Sequence, residues 1–224
     1  RLHRVRLVRI DRGAPDSFPR LFGTVARLSR HQLVSATHPR VVGFAVPEDL
    51  VTLRELYRHR VSQGLPGLDK RELFDQRGQV AAELDRLHAE AGCGHLAVSP
   101  DAVVVQDGMA SVIDFGALEA VRRLTADDAW VGADPYAAPE LRTGTPGPRS
   151  DQYGLALTAL EMLQMWEPGV RRCGRNEPAS VVLRNADRLA AGEAEAVRRA
   201  LRPDPAQRFD TCSAFVAALR AATA

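Results

Sequence analysis

The sequence feature that most constrains the fold is a helical segment two-thirds of the way along the chain. Between Tyr153 and Leu163, apolar residues occur almost all the way round a helical period and leave no solvent-facing side. Such a helix must lie at the centre of a domain, so other elements have to surround it. The chain has 224 residues, of which 45% are hydrophobic, and this is enough to build that core within one domain.

Helical patterns dominate the chain after about residue 54. One face of a long predicted helix, which ends near Gly92, carries four apolar residues at intervals of three, four or seven: Leu73, Val80, Leu84 and Leu87. Two β-branched runs flank an Asp-Gly pair at 107–108, and this pattern predicts a β-hairpin. Two more helices are predicted at about 193–201 and 211–221.

The N-terminal part of the chain has shorter and more mixed patterns. Residues 5–10 alternate apolar and polar and predict a strand, whereas apolar positions recur at helical spacing over 17–33. Two short β-type runs at 41–46 and 50–53 are separated by Pro-Glu-Asp at 47–49, a turn signal that predicts a second hairpin. We therefore expect a small α+β unit here.

Together these patterns predict one α+β domain over residues 1–224, with a small, reduced N-terminal lobe (1–53) and a mainly helical C-terminal lobe (54–224). The formal charge is only +2 and neither sign is concentrated in a tail, which argues against a nucleic-acid or membrane-surface partner. No apolar run approaches the roughly 18 residues of a membrane span. The three cysteines have no CxxC-type spacing, so we expect a reducing cytoplasm.

Four motifs then occur in a fixed order. The long helix ends in Leu-His-Ala-Glu-Ala-Gly at 87–92, Asp-Phe-Gly follows the hairpin at 114–116, Ala-Pro-Glu lies at 138–140, and Arg-Pro-Asp-Pro-Ala-Gln-Arg-Phe lies at 202–209. In this order and spacing they resemble the C-terminal lobe of the eukaryotic-like Ser/Thr protein kinases found in bacteria. The resemblance covers roughly residues 72–219 and implies a two-lobed protein-kinase-like fold.

The catalytic loop departs from the kinase pattern, which reads H-R-D-x-K-P-x-N. In the gapless alignment His95 matches the first position, but Ala97 replaces the catalytic base, Ser99 replaces the lysine and Ala102 replaces the metal-binding asparagine. A methyl group cannot accept a proton from a substrate hydroxyl. The resemblance therefore implies a degenerate catalytic loop, in which we expect no catalytic residue.

The phosphate-binding groups of the N-terminal lobe are similarly depleted. Kinases pair a strand lysine with a helix glutamate, but the only lysine lies at position 70, after this lobe, and no acidic residue occurs between Asp16 and Glu48. Arg6 is a weak candidate for the lysine's role, because a guanidinium is larger and differently directional. No Gly-rich loop precedes Arg6, so that loop either lies upstream of this sequence or is absent from the lobe.

The residues that survive divide by role. Asp114 is a candidate ligand for one Mg²⁺, since a carboxylate suits this hard cation; the alternative is a buried aspartate that is bonded to local backbone. The resemblance gives five residues structural roles. His95 and Phe115 match packing positions. Glu140 and Arg208 match a buried ion pair, and Asp151 matches the aspartate that braces the catalytic loop.

Most of the phosphate-handling groups are therefore replaced while the structural ones remain. This favours a catalytically impaired, pseudokinase-type domain that acts as a binding or regulatory module for a protein partner. It would require no cofactor and bind ATP and Mg²⁺ at most weakly. The alternative is an active or atypical Ser/Thr protein kinase that transfers the ATP γ-phosphoryl group to protein, with Arg6, Asp101 and Asp114 in place of the missing groups.

Overall fold

The structure, a computed structural model, describes most of the C-terminal part of the chain and three strands of the N-terminal part. The described residues are 3–9, 32–34, 41–47, 50–65, 70–113, 135–143, 145–164 and 189–222. In the first three of these segments only the backbone is described. The predicted lobe boundary at residue 53 stays a prediction.

The N-terminal strands form one antiparallel sheet in the order β1-β3-β2, with β1 at His3–Arg9, β2 at Gln32–Val34 and β3 at Val41–Pro47. Strand β1 confirms the predicted opening strand. The predicted helix over 17–33 lies mostly outside the described residues, but its C-terminal limit is wrong, because residues 32–34 pair with β3. Pairing with the next strand along the chain outweighs local helical periodicity at this point.

The predicted second hairpin is also wrong. Strand β4 (Val51–Thr52) does not pair with β3; it pairs antiparallel with β5 (Val103–Gln106), and β5 pairs with β6 (Met109–Val112). The chain enters helix α1 (Leu53–Ser62) directly after β4, and a reciprocal capping box between Thr52 and Glu55 fixes the start of this helix. The turn signal at 47–49 therefore does not close a hairpin between β3 and β4.

The predicted C-terminal elements are confirmed, with small shifts at their ends. Helix α2 spans Lys70–Ala91, followed by Gly92 in a left-handed conformation, and the β5–β6 turn places both Asp107 and Gly108 at positive φ. The remaining helices are α3 (Glu140–Thr143), α4 (Pro148–Gln164), α5 (Ala191–Ala200) and α6 (Cys212–Ala221).

Helix α4 lies at the centre of the described core. Leu155 and Leu160 on this helix are 1% and 0% exposed, and residues 151–160 are all buried. Helices α2, α5 and α6 pack against it. The apolar pattern of the sequence therefore identified the central helix. Among the described residues, no helix has both the length and the apolar character that crossing a bilayer requires.

Candidate functional site

The segment 95–102, where the sequence places the degenerate catalytic loop, is held by a buried carboxylate of helix α4. Asp151, which is 1% exposed, accepts hydrogen bonds from the backbone N–H groups of His95 and Leu96, both at 2.6 Å. Its Oδ2 atom also lies 2.6 Å from Nε2 of His88, near the end of α2. Asp151 thus fixes the backbone of the segment without reaching its surface.

The His95 side chain is completely buried, and both of its ring nitrogens contact backbone groups. The N–H of Ala97 donates to Nδ1 at 3.2 Å, so Nδ1 is the unprotonated nitrogen and Nε2–H donates to the carbonyl oxygen of Ile113 at 2.7 Å. In this arrangement the imidazole joins the segment to the end of the β5–β6 hairpin. It is not aimed at solvent as a general base would be.

Leu96 adopts a left-handed backbone conformation, with φ at +63°. For a residue with a side chain this costs on the order of 1–3 kcal/mol and persists only where the surroundings enforce it. Here the Asp151 carboxylate holds the N–H group of Leu96 and that of the residue before it. The backbone of the segment therefore keeps an energetically costly shape.

The side chains that this backbone presents have little catalytic capacity. Ala97 is half-buried and offers a methyl group, and Ala102 is 7% exposed at the start of β5. The carbonyl oxygen of Ser99 accepts the N–H groups of Ala102 and Val103 and closes the turn that leads into the strand. No side chain at 97, 99 or 102 carries a charge.

The segment's one carboxylate, Asp101, belongs to a polar cluster around Arg54. Arg54 donates through Nε to Asp101 at 2.7 Å, through Nη1 to Glu161 at 2.8 Å and through Nη2 to the hydroxyl oxygen of Tyr136 at 2.7 Å. Its backbone N–H also donates to Pro100 O at 3.1 Å. We call Arg54, Asp101, Tyr136 and Glu161 the Arg54 cluster.

Burial and neighbouring charges shift the pKa values of two members of the Arg54 cluster, Arg54 and Tyr136. Burial lowers the pKa of Arg54, but the carboxylates of Asp101 and Glu161 outweigh it and hold that pKa above its ordinary value. Burial raises the pKa of Tyr136, and the neighbouring Glu161 raises it further, so the phenol stays protonated and donates to Glu161. The cluster joins α1, the 95–102 segment, the residues before α3, and α4.

The structure places Glu140 and Arg208 in a bidentate ion pair at the start of α3. Nη1 and Nη2 of Arg208 lie 2.7 and 2.8 Å from the two Glu140 oxygens, and the residues are 2% and 7% exposed. The Ser150 hydroxyl donates to Glu140 at 2.7 Å. Burial raises the pKa of Glu140, but Arg208 and Ser150 outweigh it, so the pKa lies below its ordinary value.

The guanidinium of Arg208 also donates to three backbone carbonyls, those of Arg149, Arg202 and Pro203, at 2.8 to 3.2 Å. The pair therefore joins α3, the start of α4 and the loop between α5 and α6. With every donor direction satisfied, this buried pair has a purely structural geometry.

Three predicted site residues receive no side-chain description. Asp114 and Phe115 lie outside the described residues, and of Arg6 the structure gives only the backbone, opposite Phe44 in the β1–β3 ladder. The predicted metal-binding role of Asp114 and the weak phosphate-binding role of Arg6 stay predictions.

Within the described part of the chain, one group of side chains has the composition of a metal site: Asp85, His88 and Cys212, with ligand atoms within 4.8 Å of one another. The two Asp85 oxygens, however, accept the N–H groups of Cys212 and Ser213 at the start of α6, both at 2.9 Å. The positive end of the helix dipole disfavours a cation there. We assign Asp85 to capping of α6.

Sequence reasoning missed the Arg54 cluster. The other three members lie 47, 82 and 107 positions along the chain from Arg54, so no local spacing connects them with it. Of the four, only Asp101 is named by the sequence analysis, as a substitute group in the alternative active kinase. A charged residue in the first turn of a helix, such as Arg54, is ordinary by itself.

The sequence matches no family model and no curated protein. Solved structures do match. The kinase domain of PknI from Mycobacterium tuberculosis, in a single-mutant form, has a TM-score of 0.70 at 22% identity, covering 99% of this chain and 85% of that chain. A double-mutant form gives 0.70 at 26% identity over 98% and 85%, and a third structure of the same kinase domain gives 0.68 at 25% over 97% and 84%.

The chain therefore has a protein-kinase-like fold, with a small antiparallel sheet and a mostly helical region. This confirms the predicted fold class. Its structural similarity is to the kinase domain of a bacterial Ser/Thr protein kinase. Fold alone does not establish activity, which depends on the site.

Proposed function

We propose that this chain is a kinase-like domain without phosphotransfer activity that serves as a protein-binding or regulatory module. The observation that carries this proposal is the state of the 95–102 segment. Its backbone is braced by Asp151, yet the base position holds Ala97, and the one carboxylate, Asp101, is in an ion pair with Arg54.

The Asp101 ion pair bears directly on the alternative, an active kinase with a substitute base. A general base must be within hydrogen-bonding reach of the proton that it removes. The Oδ2 atom of Asp101 lies 2.7 Å from Nε of Arg54, so this carboxylate is already engaged in an ion pair. Asp101 is thus a poor replacement for the missing aspartate.

Further support comes from the number of losses. Base, loop lysine, metal-binding asparagine, strand lysine and helix glutamate are all replaced relative to the kinase pattern. Enzymes that lose one catalytic group keep residual activity from their other groups, but here several transition-state contacts are absent together. The structural residues Asp151, Glu140 and Arg208 keep their contacts. A chain that keeps a kinase-like fold but lacks these catalytic groups is suited to presenting a surface to a protein partner.

In this proposal no cofactor is required, and nucleotide binds at most weakly, through Mg²⁺ on Asp114. The cytoplasm is the proposed location, in line with the lack of any CxxC-type spacing among the three cysteines of the sequence. The alternative is favoured by one observation, namely that the similar solved structures are kinase domains by description.

Nucleotide binding and transfer are tested separately. Thermal unfolding of the full-length protein is measured with and without Mg-ATP, beside Asp114→Ala as the matched variant. A shift of less than about 1 °C at 1 mM Mg-ATP is expected, in line with weak binding. A large shift that Asp114→Ala abolishes would show a functional nucleotide site and favour the alternative.

A further inference from the structure

A small enclosed cavity lies inside the C-terminal core, where the first residue of α1, helix α2, strand β5 and helix α4 meet. Its volume is about 10 Å³, and its walls are formed by Leu53, Leu73, Gln76, Arg77, Val80, Val103, Leu155 and Thr158. This is close to the smallest space that holds a single water molecule, about 10–15 Å³. The cavity is too small for any organic ligand.

Oε1 of Gln76 and Oγ1 of Thr158, which belong to residues that line the cavity, have no hydrogen-bond partner among the described residues. Both residues are inaccessible to bulk solvent, at 4% and 2% exposure. Buried polar side-chain atoms are nearly always satisfied by protein or by ordered water. The two residues lie on different helices, α2 and α4, but line the same cavity, which makes a molecule held there the natural partner for both atoms.

The polar groups of the residues that line the cavity determine which kind of molecule can bind there. Oε1 of Gln76 only accepts hydrogen bonds, which excludes an anion as its partner, whereas the Thr158 hydroxyl both donates and accepts. The Arg77 guanidinium, which donates to the Ala159 carbonyl at 2.9 Å, also lines the cavity and would repel a metal cation. A neutral group that donates and accepts fits all three residues.

We infer that the cavity is a binding site for one structural water molecule, which donates to Gln76 Oε1 and exchanges a hydrogen bond with the Thr158 hydroxyl. The water bridges α2 to the central helix α4 and gives Arg77 a dipole inside the core. Burial lowers the pKa of Arg77 to about 9, although Glu193 opposes this, so solvation by an internal water helps to keep the guanidinium charged.

Water-oxygen magnetic relaxation dispersion counts waters that stay bound longer than the protein takes to tumble. We expect the double variant Gln76→Met/Thr158→Val, which removes both partners and fills the cavity, to hold one long-lived water fewer than the native protein. Thr158→Ser keeps the hydroxyl and should retain the native count. An equal count in the native protein and the double variant would overturn the assignment.

A crystal structure of the unmodified protein at 2 Å or better provides a test that does not depend on the folding of any variant. The expected result is a density peak within hydrogen-bonding distance, about 2.6–3.2 Å, of both Gln76 Oε1 and Thr158 Oγ1. An empty cavity in that map would contradict the assignment.

Discussion

Helix α4 carries a carboxylate near each end, and the two carboxylates hold different kinds of structure. Asp151, fully buried, binds backbone N–H groups and so fixes the shape of the 95–102 segment. Glu161 has a side chain that is 29% exposed, and together with Asp101 it binds the side chain of Arg54. The Asp151 contacts fix the backbone of the 95–102 segment. The Arg54 contacts engage Asp101, the only carboxylate in that segment.

The Glu140–Arg208 pair belongs with Asp151, since it is buried and binds backbone as well as side chains. We call Asp151, Glu140 and Arg208 the frame. Comparing the frame with the Arg54 cluster separates buried contacts that hold the fold from partly exposed contacts beside the 95–102 segment. The two should respond differently to mutation.

The largest effect is expected for Arg208→Ala. It leaves the Glu140 carboxylate buried without its partner, so the free energy of unfolding should fall by about 3–5 kcal/mol. Chemical denaturation measures this loss. The control is Arg86→Ala, which removes an exposed ion pair with Glu90 and should change stability by no more than about 0.5 kcal/mol. Equal effects of the two changes would contradict a structural role for the buried pair.

A smaller loss is expected for Asp151→Asn. The substitution replaces one accepting oxygen by an NH2 group, which donates and cannot accept. One backbone N–H of the segment therefore loses its charge-assisted hydrogen bond, at a cost of about 2–3 kcal/mol. Hydrogen exchange at the amides of His95 and Leu96 should accelerate as well. Unchanged exchange there would show that Asp151 does not brace the segment.

Arg54→Met should have a more modest effect, about 1–2 kcal/mol, because the Arg54 cluster is partly solvated. Methionine keeps the apolar stem and removes all three side-chain hydrogen bonds. Faster hydrogen exchange in the first turn of α1, with the amides of His95 and Leu96 unaffected, would confirm that the cluster and the frame are independent. Loss of protection in both would show that they are one unit.

The smallest effect is a pH dependence carried by Glu140. Its pKa in the folded protein lies below the ordinary value, so its stabilisation is complete above the ordinary pKa and is lost as the pH falls through the folded pKa. The free energy of unfolding, measured between pH 6 and pH 3, should therefore fall less steeply in Arg208→Ala. A steeper fall in the variant would contradict the assigned direction.

The frame was predictable from the sequence, whereas the Arg54 cluster was not. Asp151, Glu140 and Arg208 lie in motifs that resemble the kinase pattern, and that resemblance implies their structural roles. The central helix was predictable because its apolar pattern allows no other position. The partners of Arg54 lie 47 to 107 positions away in the sequence, so no local pattern indicates these contacts.

The N-terminal errors have the same cause. Strand β4 pairs with β5, more than fifty residues away, and residues 32–34 join the β1–β3 sheet. Local turn and helix signals do not specify which strand a segment pairs with, whether that strand is near or far in the sequence. The sequence therefore predicts elements with a strong period of their own and misses those that strand pairing decides.

The central claim is that the 95–102 segment keeps a braced backbone but lacks the side chains that phosphotransfer requires. The most direct measurement is incubation of the full-length protein with labelled ATP and Mg²⁺ or Mn²⁺, beside Ala97→Asp, which restores only the base, and Asp114→Ala. The account predicts no label above background on the protein itself or on generic protein substrates, with no gain in Ala97→Asp. Label that the unmodified protein incorporates and Asp114→Ala abolishes would contradict the account and establish an active kinase.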